Sequence, residues 1–223
     1  MPIFKAKNEN FFKLWTPEMA YVLGFFTADG NMIKNKRGAH FISFYSVDKE
    51  LLESIKKVMG IDHKLSFRKK RGENQKDSYR LQIGSKEIFN DLLKIGLTPN
   101  KSKTVSLPKI PNKYFSDFLR GYFDGDGSVI AGYFKKSDRK SKSFTLSVRF
   151  TSGSKEILEQ LMNNLKNIIG SKGSLFFAGR AWRLNYSIND SRKLFDLMYN
   201  DNVINDLIYL KRKYNIFKNA GVV

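Results

Sequence analysis

Two segments of the chain have nearly the same sequence, and they constrain the fold more than any other feature. Residues 22–30 read VLGFFTADG, and residues 119–127 read LRGYFDGDG. Each is an apolar run with glycine at its third position, and each ends in a small residue, Asp and Gly. A carboxylate at the end of an apolar helix, made twice, predicts two related halves that bring Asp29 and Asp126 together.

The composition is strongly basic. The 223 residues include 40 Lys and Arg against 21 Asp and Glu, a formal net charge of +19. Such an excess favours polyanionic partners, because contacts with phosphates release condensed counterions. A hydrophobic content of 41% supports a packed core and excludes a basic disordered tail as the whole chain. Two converging carboxylates in so basic a protein indicate metal ions that act on a phosphate backbone.

Several classes of protein are excluded. The chain has no Cys, so it contains no disulfide and no thiolate zinc site, and only His40 and His63 offer imidazole. No apolar run approaches the roughly 20 residues that a membrane-spanning helix needs. The N-terminus lacks the apolar stretch of a signal peptide. We therefore expect a soluble, intracellular protein that does not bind membranes.

The order of predicted elements is the same in both halves. In the first half, strands at 31–35 and 39–46, a helix through 59, strands at 64–70 and 78–83 and a helix at 88–95 follow the first motif. In the second half, the same order gives strands at 128–134 and 144–151, a helix at 155–169, strands at 175–177 and 182–188, and helices at 192–199 and 205–214. Matching sequence blocks in the same order indicate an internal duplication.

This pattern predicts an α+β fold of two pseudo-symmetric αββαββα subdomains. Each subdomain is expected to be a four-stranded antiparallel sheet with helices on one face. The two subdomains are expected to join at the paired motif helices. We place the first subdomain at 1–97, a Pro- and Lys-rich linker at 98–113, and the second subdomain at 114–223.

The small residues of the motifs predict a close helix pair. Gly24 and Ala28 lie four apart on one helix face, and the second motif has glycines at the same two positions. Without side chains there, two helices can approach backbone against backbone. Asp29 and Asp126 would then emerge side by side, where they repel unless cations bridge them or the pKa of one is raised. The alternative is that both are ordinary helix C-terminal residues, which the helix dipole disfavours.

Alternation along the strands predicts an open face on each sheet. Arg, Gln, Asn and Ser side chains dominate these faces, and such side chains read base edges in a major groove that admits a β-ribbon. Lys and Arg in the loops suit phosphate contacts. An ordinary solvated sheet face remains the alternative. The candidate DNA contacts are Ile33, Asn35, Arg37, Ser43, Arg68, Lys70, Ser78, Arg80, Gln82, Ile130, Gly132, Lys136, Thr145, Ser147, Arg149, Arg183 and Asn185.

The paired motifs, the repeated order of elements and the linker resemble the LAGLIDADG homing endonuclease family in its single-chain, two-motif form. Residues 124–131, DGDGSVIA, are similar to the family's second half-motif. The resemblance implies that Asp29 and Asp126 coordinate Mg²⁺, with Mn²⁺ as a substitute, shared with the scissile phosphates. It also implies that the backbone carbonyls of Ala28 and Gly125 assist.

The resemblance extends to residues around the acids. Thr27 departs from the family by replacing the motif's first acid, a position that does not bind the metal. Arg120 is an unusual charge within a motif, and we expect it to snorkel or to face DNA. The family carries a basic residue near each active site, and Lys101 and Lys211 stand at the matching positions. These lysines would stabilise the charge on the phosphate or polarise the attacking water.

By resemblance, the chain is a monomeric, intron-encoded enzyme that hydrolyses both strands of a long, imperfectly palindromic duplex DNA with two metal ions. Two alternatives remain. The chain could be an RNA maturase that binds intron RNA and assists splicing. It could also be a non-cleaving DNA-binding regulator, although such a protein would normally lose at least one motif acid.

Overall fold

The structure, a computed structural model, describes residues 6–70, 72–73, 76–135, 140–199 and 207–222. The helices of this part of the chain are α1 (Pro17–Asp29), α2 (Lys49–Val58), α3 (Lys86–Ile95), α4 (Phe115–Asp126), α5 (Lys155–Ile169), α6 (Ile188–Met198) and α7 (Lys211–Asn219). Its strands are β1 (Gly30–Lys34), β2 (His40–Ser46), β3 (Ser66–Arg68), β4 (Ser78–Gly84), β5 (Gly127–Lys135), β6 (Lys142–Ser152), β7 (Ser174–Phe177) and β8 (Trp182–Tyr186). Short 3₁₀ turns lie at Lys101–Lys103 and Asn112–Tyr114.

The strands form two four-stranded antiparallel sheets with the same topology. The first sheet has the order β1-β2-β4-β3, and the second has the order β5-β6-β8-β7. Each sheet is preceded by a motif helix, α1 or α4, and its two hairpins are separated by α2 or α5. The predicted α+β fold with an αββαββα order in each repeat is confirmed.

Local sequence signals explain where the first helices begin and end. Thr16 caps α1 by accepting a hydrogen bond from the Met19 amide, and Pro17 occupies the first turn, where its missing N–H is not needed. Ser85 caps α3 in the same way through the Ile88 amide. Gly96 ends α3 with a φ of 107°, a left-handed conformation that favours glycine.

Each sheet packs one face against helices and leaves the other open. In the first sheet, Ile42 and Phe44 pair across the strands with Ile83 and Leu81, and all four side chains are fully buried. The Phe26 ring of α1 lies 5.0 Å from the Phe44 ring in an edge-to-face contact. In the second sheet, the corresponding buried residues are Leu146, Val148, Phe150, Leu184 and Tyr186.

The chain divides into two compact units. The first unit contains Met1–Lys101 and Pro108–Gly125, and the second contains Ser102–Leu107 and Asp126–Val223. The second motif helix therefore packs with the first unit, because its glycines contact α1 directly. The limits of the repeat copies, 1–97 and 114–223, stay a prediction about the sequence.

The last helix begins later than predicted. A helix was expected at 205–214, but the residues from 207 to 210 are not helical and α7 begins at Lys211; residues 205 and 206 lie outside the described residues. Aromatic packing explains the shift, because Tyr214 and Phe217 must face α6. The Phe217 ring lies 5.1 Å from the ring of Phe195. The Tyr214 ring lies 5.5 Å from that of Tyr199, at the end of α6.

Within the described ranges, no helix combines the length and the apolar character needed to cross a bilayer. The apolar side chains instead fill the space between each sheet and its helices.

Candidate active site and nucleic-acid interface

The two motif helices cross with their backbones in contact, inside the first unit. A Cβ atom added to Gly24 would collide with the carbonyl oxygen of Phe118, and one added to Gly121 would collide with the carbonyl oxygen of Tyr21. Neither position could hold a larger side chain without separating the helices. The close approach predicted from the spacing of small residues is therefore present, and it fixes where both helices end.

Polar side chains are buried around this crossing. The Tyr21 hydroxyl donates a 2.7 Å hydrogen bond to a carboxylate oxygen of Asp124. Arg120 is fully buried and donates to Asp117 at 2.8 Å. Burial raises the pKa of the Asp117 carboxyl, and the Arg120 guanidinium partly opposes that shift.

The expectation that Arg120 snorkels or faces DNA is wrong. Its guanidinium carbon lies 5.3 Å from the centre of the Tyr21 ring, so the charge rests between an aromatic face and a carboxylate in the protein interior. Asp117 stands three residues earlier on α4, which places both side chains on the same helix face. Local pairing therefore holds the arginine inside.

Each motif acid is the last residue of its helix and directly precedes a strand. Asp29 ends α1 and Asp126 ends α4, and both are half-buried. Gly30 has an extended backbone, with φ −89° and ψ 152°, so that α1 passes straight into β1. A Cβ added to Gly125 would collide with Ala28 and lie 3.5 Å from a carboxylate oxygen of Asp29. The residue before Asp126 thus lies against the end of α1.

These helix ends offer the oxygen donors that a hard cation takes. Carbonyls of the last helical turn lack partners within the helix, and Ala28 and Gly125 directly precede Asp29 and Asp126 in these turns. Mg²⁺ is commonly held by one or two carboxylates together with phosphate and water oxygens. No group of three or more His, Cys, Asp or Glu that could hold a metal occurs in the described part of the chain. Taken by itself, each helix end offers a carboxylate and a carbonyl, which are donors that suit a cation whose other ligands are phosphate and water oxygens.

Thr27, which replaces an acid of the family motif, has a local role. It is buried, and its hydroxyl donates a 2.7 Å hydrogen bond to the Leu23 carbonyl, one turn back in α1. The Thr27 hydroxyl therefore has a hydrogen-bond acceptor within its own helix. A neutral residue at this position is thus compatible with the buried helix pair.

The structure places a lysine other than the expected one beside the second motif. Lys213 is 4% exposed, and its Nζ donates a 2.6 Å hydrogen bond to the carbonyl of Gly127, the residue after Asp126. Lys211 is exposed at the start of α7. Lys101 lies in a 3₁₀ turn, and its side chain is outside the described residues.

A sequence signal for Lys213 existed and was missed. Leu210, Lys213, Tyr214 and Phe217 follow the spacing of one helix face, and all four are buried. A lysine in an apolar stripe is seldom buried unless its ammonium group has a partner, because burial disfavours the charged form. The predicted helix ended at 214 and left out Phe217, which hid this stripe.

The open face of the first sheet carries most of the candidate DNA contacts of the first half. The strand register puts Ser43 opposite Gln82, and Arg68 opposite Ser78. Arg80 lies on the same face, opposite both Tyr45 and Ser66. Ser43 is only 1% exposed, so its neighbours on this face cover it. Sequence analysis missed Asn31, Phe41, Tyr45 and Ser66, which share the face.

The open face of the second sheet is built in the same way. Ile130 pairs with Ser147, Gly132 pairs with Thr145, and Arg183 pairs with Thr151. Arg149 pairs with Asn185 and donates a 2.8 Å hydrogen bond from its Nε to the Asn185 side chain. Lys136 lies outside the described residues. Sequence analysis missed Ser128, Phe134, Ser143, Thr151, Ser174 and Phe176, which lie on this face.

Hairpin residues of the first unit present exposed cations beside ordered turns. The Asn35 side-chain oxygen accepts hydrogen bonds from the amides of Arg37 and Ala39, at 3.0 and 2.8 Å. Asn35 thus shapes the turn that exposes the Arg37 side chain. The Lys70 amide donates to Asp77 at 2.8 Å across the second hairpin, and its side chain is exposed.

Comparison with known proteins identifies the family. A family model described as a LAGLIDADG-like domain matches residues 16–95 and 116–176, more than half of the chain and both motifs. The chain belongs to the LAGLIDADG family. Its match to this family covers the two helix ends that carry Asp29 and Asp126 and most of both sheets.

Solved structures of LAGLIDADG meganucleases have a similar fold. I-SmaMI, solved with uncleaved DNA target in the presence of calcium ions, is 18% identical with a TM-score of 0.60, over 94% of this chain and 92% of that one. I-AabMI, solved with uncleaved DNA, is 14% identical with a TM-score of 0.62, over 93% and 91%. At this identity the likeness concerns the fold.

Two curated relatives come from Methanocaldococcus jannaschii. An uncharacterized protein is 27% identical over 120 residues, which are 52% of this chain and 41% of that protein. The DNA-directed RNA polymerase subunit Rpo1C is 30% identical over 146 residues, which are 64% of this chain and 15% of that subunit. The LAGLIDADG chain therefore spans less than half the length of either relative.

Proposed function

We propose that this LAGLIDADG protein is a divalent-metal-dependent DNA endonuclease that cuts both strands of a duplex target. One observation carries the proposal. Two helices that touch through glycines both end in a carboxylate, Asp29 or Asp126, directly before the first strand of a sheet. The open faces of these sheets present side chains that can hydrogen-bond to bases.

Charge and surface chemistry support duplex DNA as the ligand. The formal net charge of +19 favours a phosphate backbone. Arg80 and Gln82 in the first sheet, and Arg149 and Arg183 in the second, offer donors suited to base edges. The similar structures of I-SmaMI include complexes with uncleaved and with cleaved DNA. We extend that ligand to this chain.

The proposed chemistry uses the helix ends. The carboxylates of Asp29 and Asp126, with the carbonyls of Ala28 and Gly125, would hold Mg²⁺, or Mn²⁺ in its place. A bound ion of this kind supplies a Lewis acid and lowers the pKa of a bound water. The protein's own contribution is to hold the carboxylates at ends of helices whose glycine contacts prevent them from shifting.

Among the described residues, Lys213 is the basic side chain best placed to assist beside the second motif. Its ammonium is held by the Gly127 carbonyl, one residue beyond Asp126. A fixed positive charge there would stabilise the negative charge that develops on a phosphate during hydrolysis. In the first half this role stays with Lys101, as the family resemblance suggests.

The target and the assembly follow from the repeat. A single chain supplies both motif acids, so we propose that the protein acts as a monomer. The open faces differ in their residues, with Gln82 and Arg80 in one and Asn185, Arg149 and Thr145 in the other. Two different faces would read two different half-sites, which predicts a long target that is only partly palindromic.

The proposal is tested by selection from a randomised duplex library. The protein is incubated with Mg²⁺ and, separately, with Ca²⁺, and both bound molecules and cut ends are sequenced. We expect discrete staggered cuts at one long sequence with Mg²⁺. Binding without cutting in either ion would favour a non-cleaving regulator. Preference for intron RNA over every duplex would favour a maturase.

Charge-neutral variants then test the metal ligands. Asp29→Asn and Asp126→Asn should each lower cleavage by more than about 100-fold while specific binding is retained. Asp196→Asn, an exposed acid on α6, is the matched control and should cleave as the wild type does. Full cleavage by Asp126→Asn would overturn the proposed metal site.

A further inference from the structure

Two isoleucines stand exposed on the open sheet faces at the same position of the two repeats. Ile33 on β1 is 41% exposed, and Ile130 on β5 is 44% exposed. Each follows the strand's opening glycine, Gly30 or Gly127, by the same number of residues. The duplication therefore carries an unburied apolar side chain at one equivalent point of both faces.

These isoleucines do not belong to the cores. Their preceding neighbours, Met32 and Val129, are 2% and 7% exposed and point to the helix side of each sheet. Alternation along a strand turns the next residue to the opposite face. The strands thus bury the residue before each isoleucine and leave the isoleucine itself outside.

On the open faces Ile130 has polar neighbours, and Ile33 has polar neighbours together with the aromatic ring of Phe41. Ile130 pairs with Ser147, and Ser128 precedes it on the same face. Ile33 pairs with Phe41, and Asn31 precedes it on the same face, opposite Ser43. Single exposed apolar residues are common on proteins. A repeated one, among side chains that can hydrogen-bond, indicates a specific apolar contact.

Base-edge chemistry selects the partner. The side chain of isoleucine can neither donate nor accept a hydrogen bond. Among the base-edge groups that distinguish base pairs in the major groove, the apolar one is the 5-methyl group of thymine. The net charge of +19 and the arginines on the same faces make a DNA duplex the fitting occupant.

We propose that Ile33 and Ile130 are specificity-determining residues that each contact the 5-methyl group of one thymine, one in each half of the DNA target. The inference rests on the proposed DNA-binding function and adds the chemistry that these two side chains recognise. Burying one methyl group at the interface, away from water, should raise the affinity about fourfold. Each isoleucine therefore contributes modest but base-specific discrimination.

The experiment removes the methyl group alone. The selected target is synthesised with single thymines replaced by deoxyuridine, and affinity is measured with Ca²⁺. For the wild type, we expect about a fourfold loss at one thymine in each half-site. Ile130→Ser should abolish that loss in one half-site and leave it in the other, and Ile33→Ser should do the reverse.

A control and two contrary outcomes complete the test. Leu93→Ser, at a residue of α3 that is 40% exposed, should leave both uracil effects unchanged. Specific binding in which no uracil substitution matters, or in which its effect survives both serine variants, would overturn the inference and leave the endonuclease proposal standing. Absence of any sequence-specific DNA binding would instead overturn the proposed function, and the inference with it.

Discussion

The hydroxyl of Tyr21 on α1 lies 2.7 Å from a carboxylate oxygen of Asp124 on α4, and both side chains are buried. The two residues are 103 positions apart in the chain. This bond joins the two motif helices. Because the acceptor is a buried carboxylate, loss of the donor should lower the free energy of unfolding. The helix pair is therefore held by polar contacts as well as by its glycines.

Replacing Tyr21 with Phe should lower the free energy of unfolding by about 1.5–3 kcal/mol, because a buried carboxylate then has one donor fewer. Urea unfolding measures the change. Tyr114→Phe is the matched control, since its half-buried hydroxyl donates to the neutral Trp15 carbonyl at 2.7 Å, and its loss should be about 0.5–1.5 kcal/mol. Equal losses in the two variants would contradict this reasoning.

Gly24→Ala should destabilise the protein even though alanine is the better helix former. Helix propensity favours alanine by about 1 kcal/mol. The new methyl group would meet the Phe118 carbonyl oxygen and lie 2.8 Å from the Tyr122 amide nitrogen, so the helices must separate. We expect a net loss of about 2 kcal/mol or more in urea unfolding.

The control for this substitution is Gly72→Ala. Among the described residues outside its chain neighbours, no atom lies within 4 Å of a Cβ at Gly72, and its φ is outside the left-handed region. Its effect should remain within about 0.5 kcal/mol. A Gly24→Ala variant as stable as this control would show that the crossing is looser than described.

The buried Asp117–Arg120 pair should behave as a unit. Asp117→Asn removes a counter-charge from a fully buried guanidinium and should cost about 3–5 kcal/mol. The double variant Asp117→Leu with Arg120→Met replaces both charges by apolar groups and should recover most of that loss. The free energies of unfolding of the single and double variants are measured with denaturant. A double variant as unstable as the single one would contradict the argument.

Lys213→Met should slow DNA cleavage by about 100-fold with little effect on binding, because it removes a fixed charge beside the second motif. Lys218→Met, at an exposed lysine of the same helix, should cleave normally. Single-turnover cleavage rates and binding with Ca²⁺ are the readouts. A larger loss in Lys211→Met than in Lys213→Met would return the catalytic role to Lys211.

Glu9→Gln should give a pH-dependent change in stability. Hydrogen bonds from Ser85 and Lys7 hold the pKa of Glu9 below its ordinary value of 4.5, so its ionised form stabilises the fold. That contribution is present above pH 4.5 and is lost as the pH falls through the lowered pKa. At neutral pH we expect the variant to lose less than about 1 kcal/mol, because the pair is largely exposed.

Unfolding of Glu9→Gln and wild type is therefore compared at neutral pH and in acid. The difference should shrink as the pH falls below 4.5. A difference that persists unchanged in acid would show that Glu9 acts through packing and not through its charge.

Most of the fold could be predicted because its signals are local. Strand alternation placed Leu81 and Ile83 against the helices and Arg80 and Gln82 on the open face, as observed. The four-residue spacing of Gly121 and Gly125 predicted the close helix pair, because small residues on one helix face can be recognised without knowing the partner helix.

The contacts that could not be predicted from the sequence depend on packing between residues that are far apart in the chain. Nothing near Tyr21 in the sequence points to Asp124, because their contact depends on how α1 and α4 cross. The burial of Lys213 follows from the position of α7, which is set by aromatic contacts with Phe195 and Tyr199. The pairing of Asp117 with Arg120 was within reach of sequence reasoning, since three residues separate them on one helix.

Almost all of α4 belongs to the first unit, whereas β5 belongs to the second. This division limits which hybrids between related chains can fold. An exchange between relatives at 98–113 would bring in a new α4 together with the new second half. The incoming helix would then have to fit the resident α1 at Gly24 and Ala28, where there is no room for a larger side chain. The stability of such hybrids should therefore depend on a few small residues in the two helices.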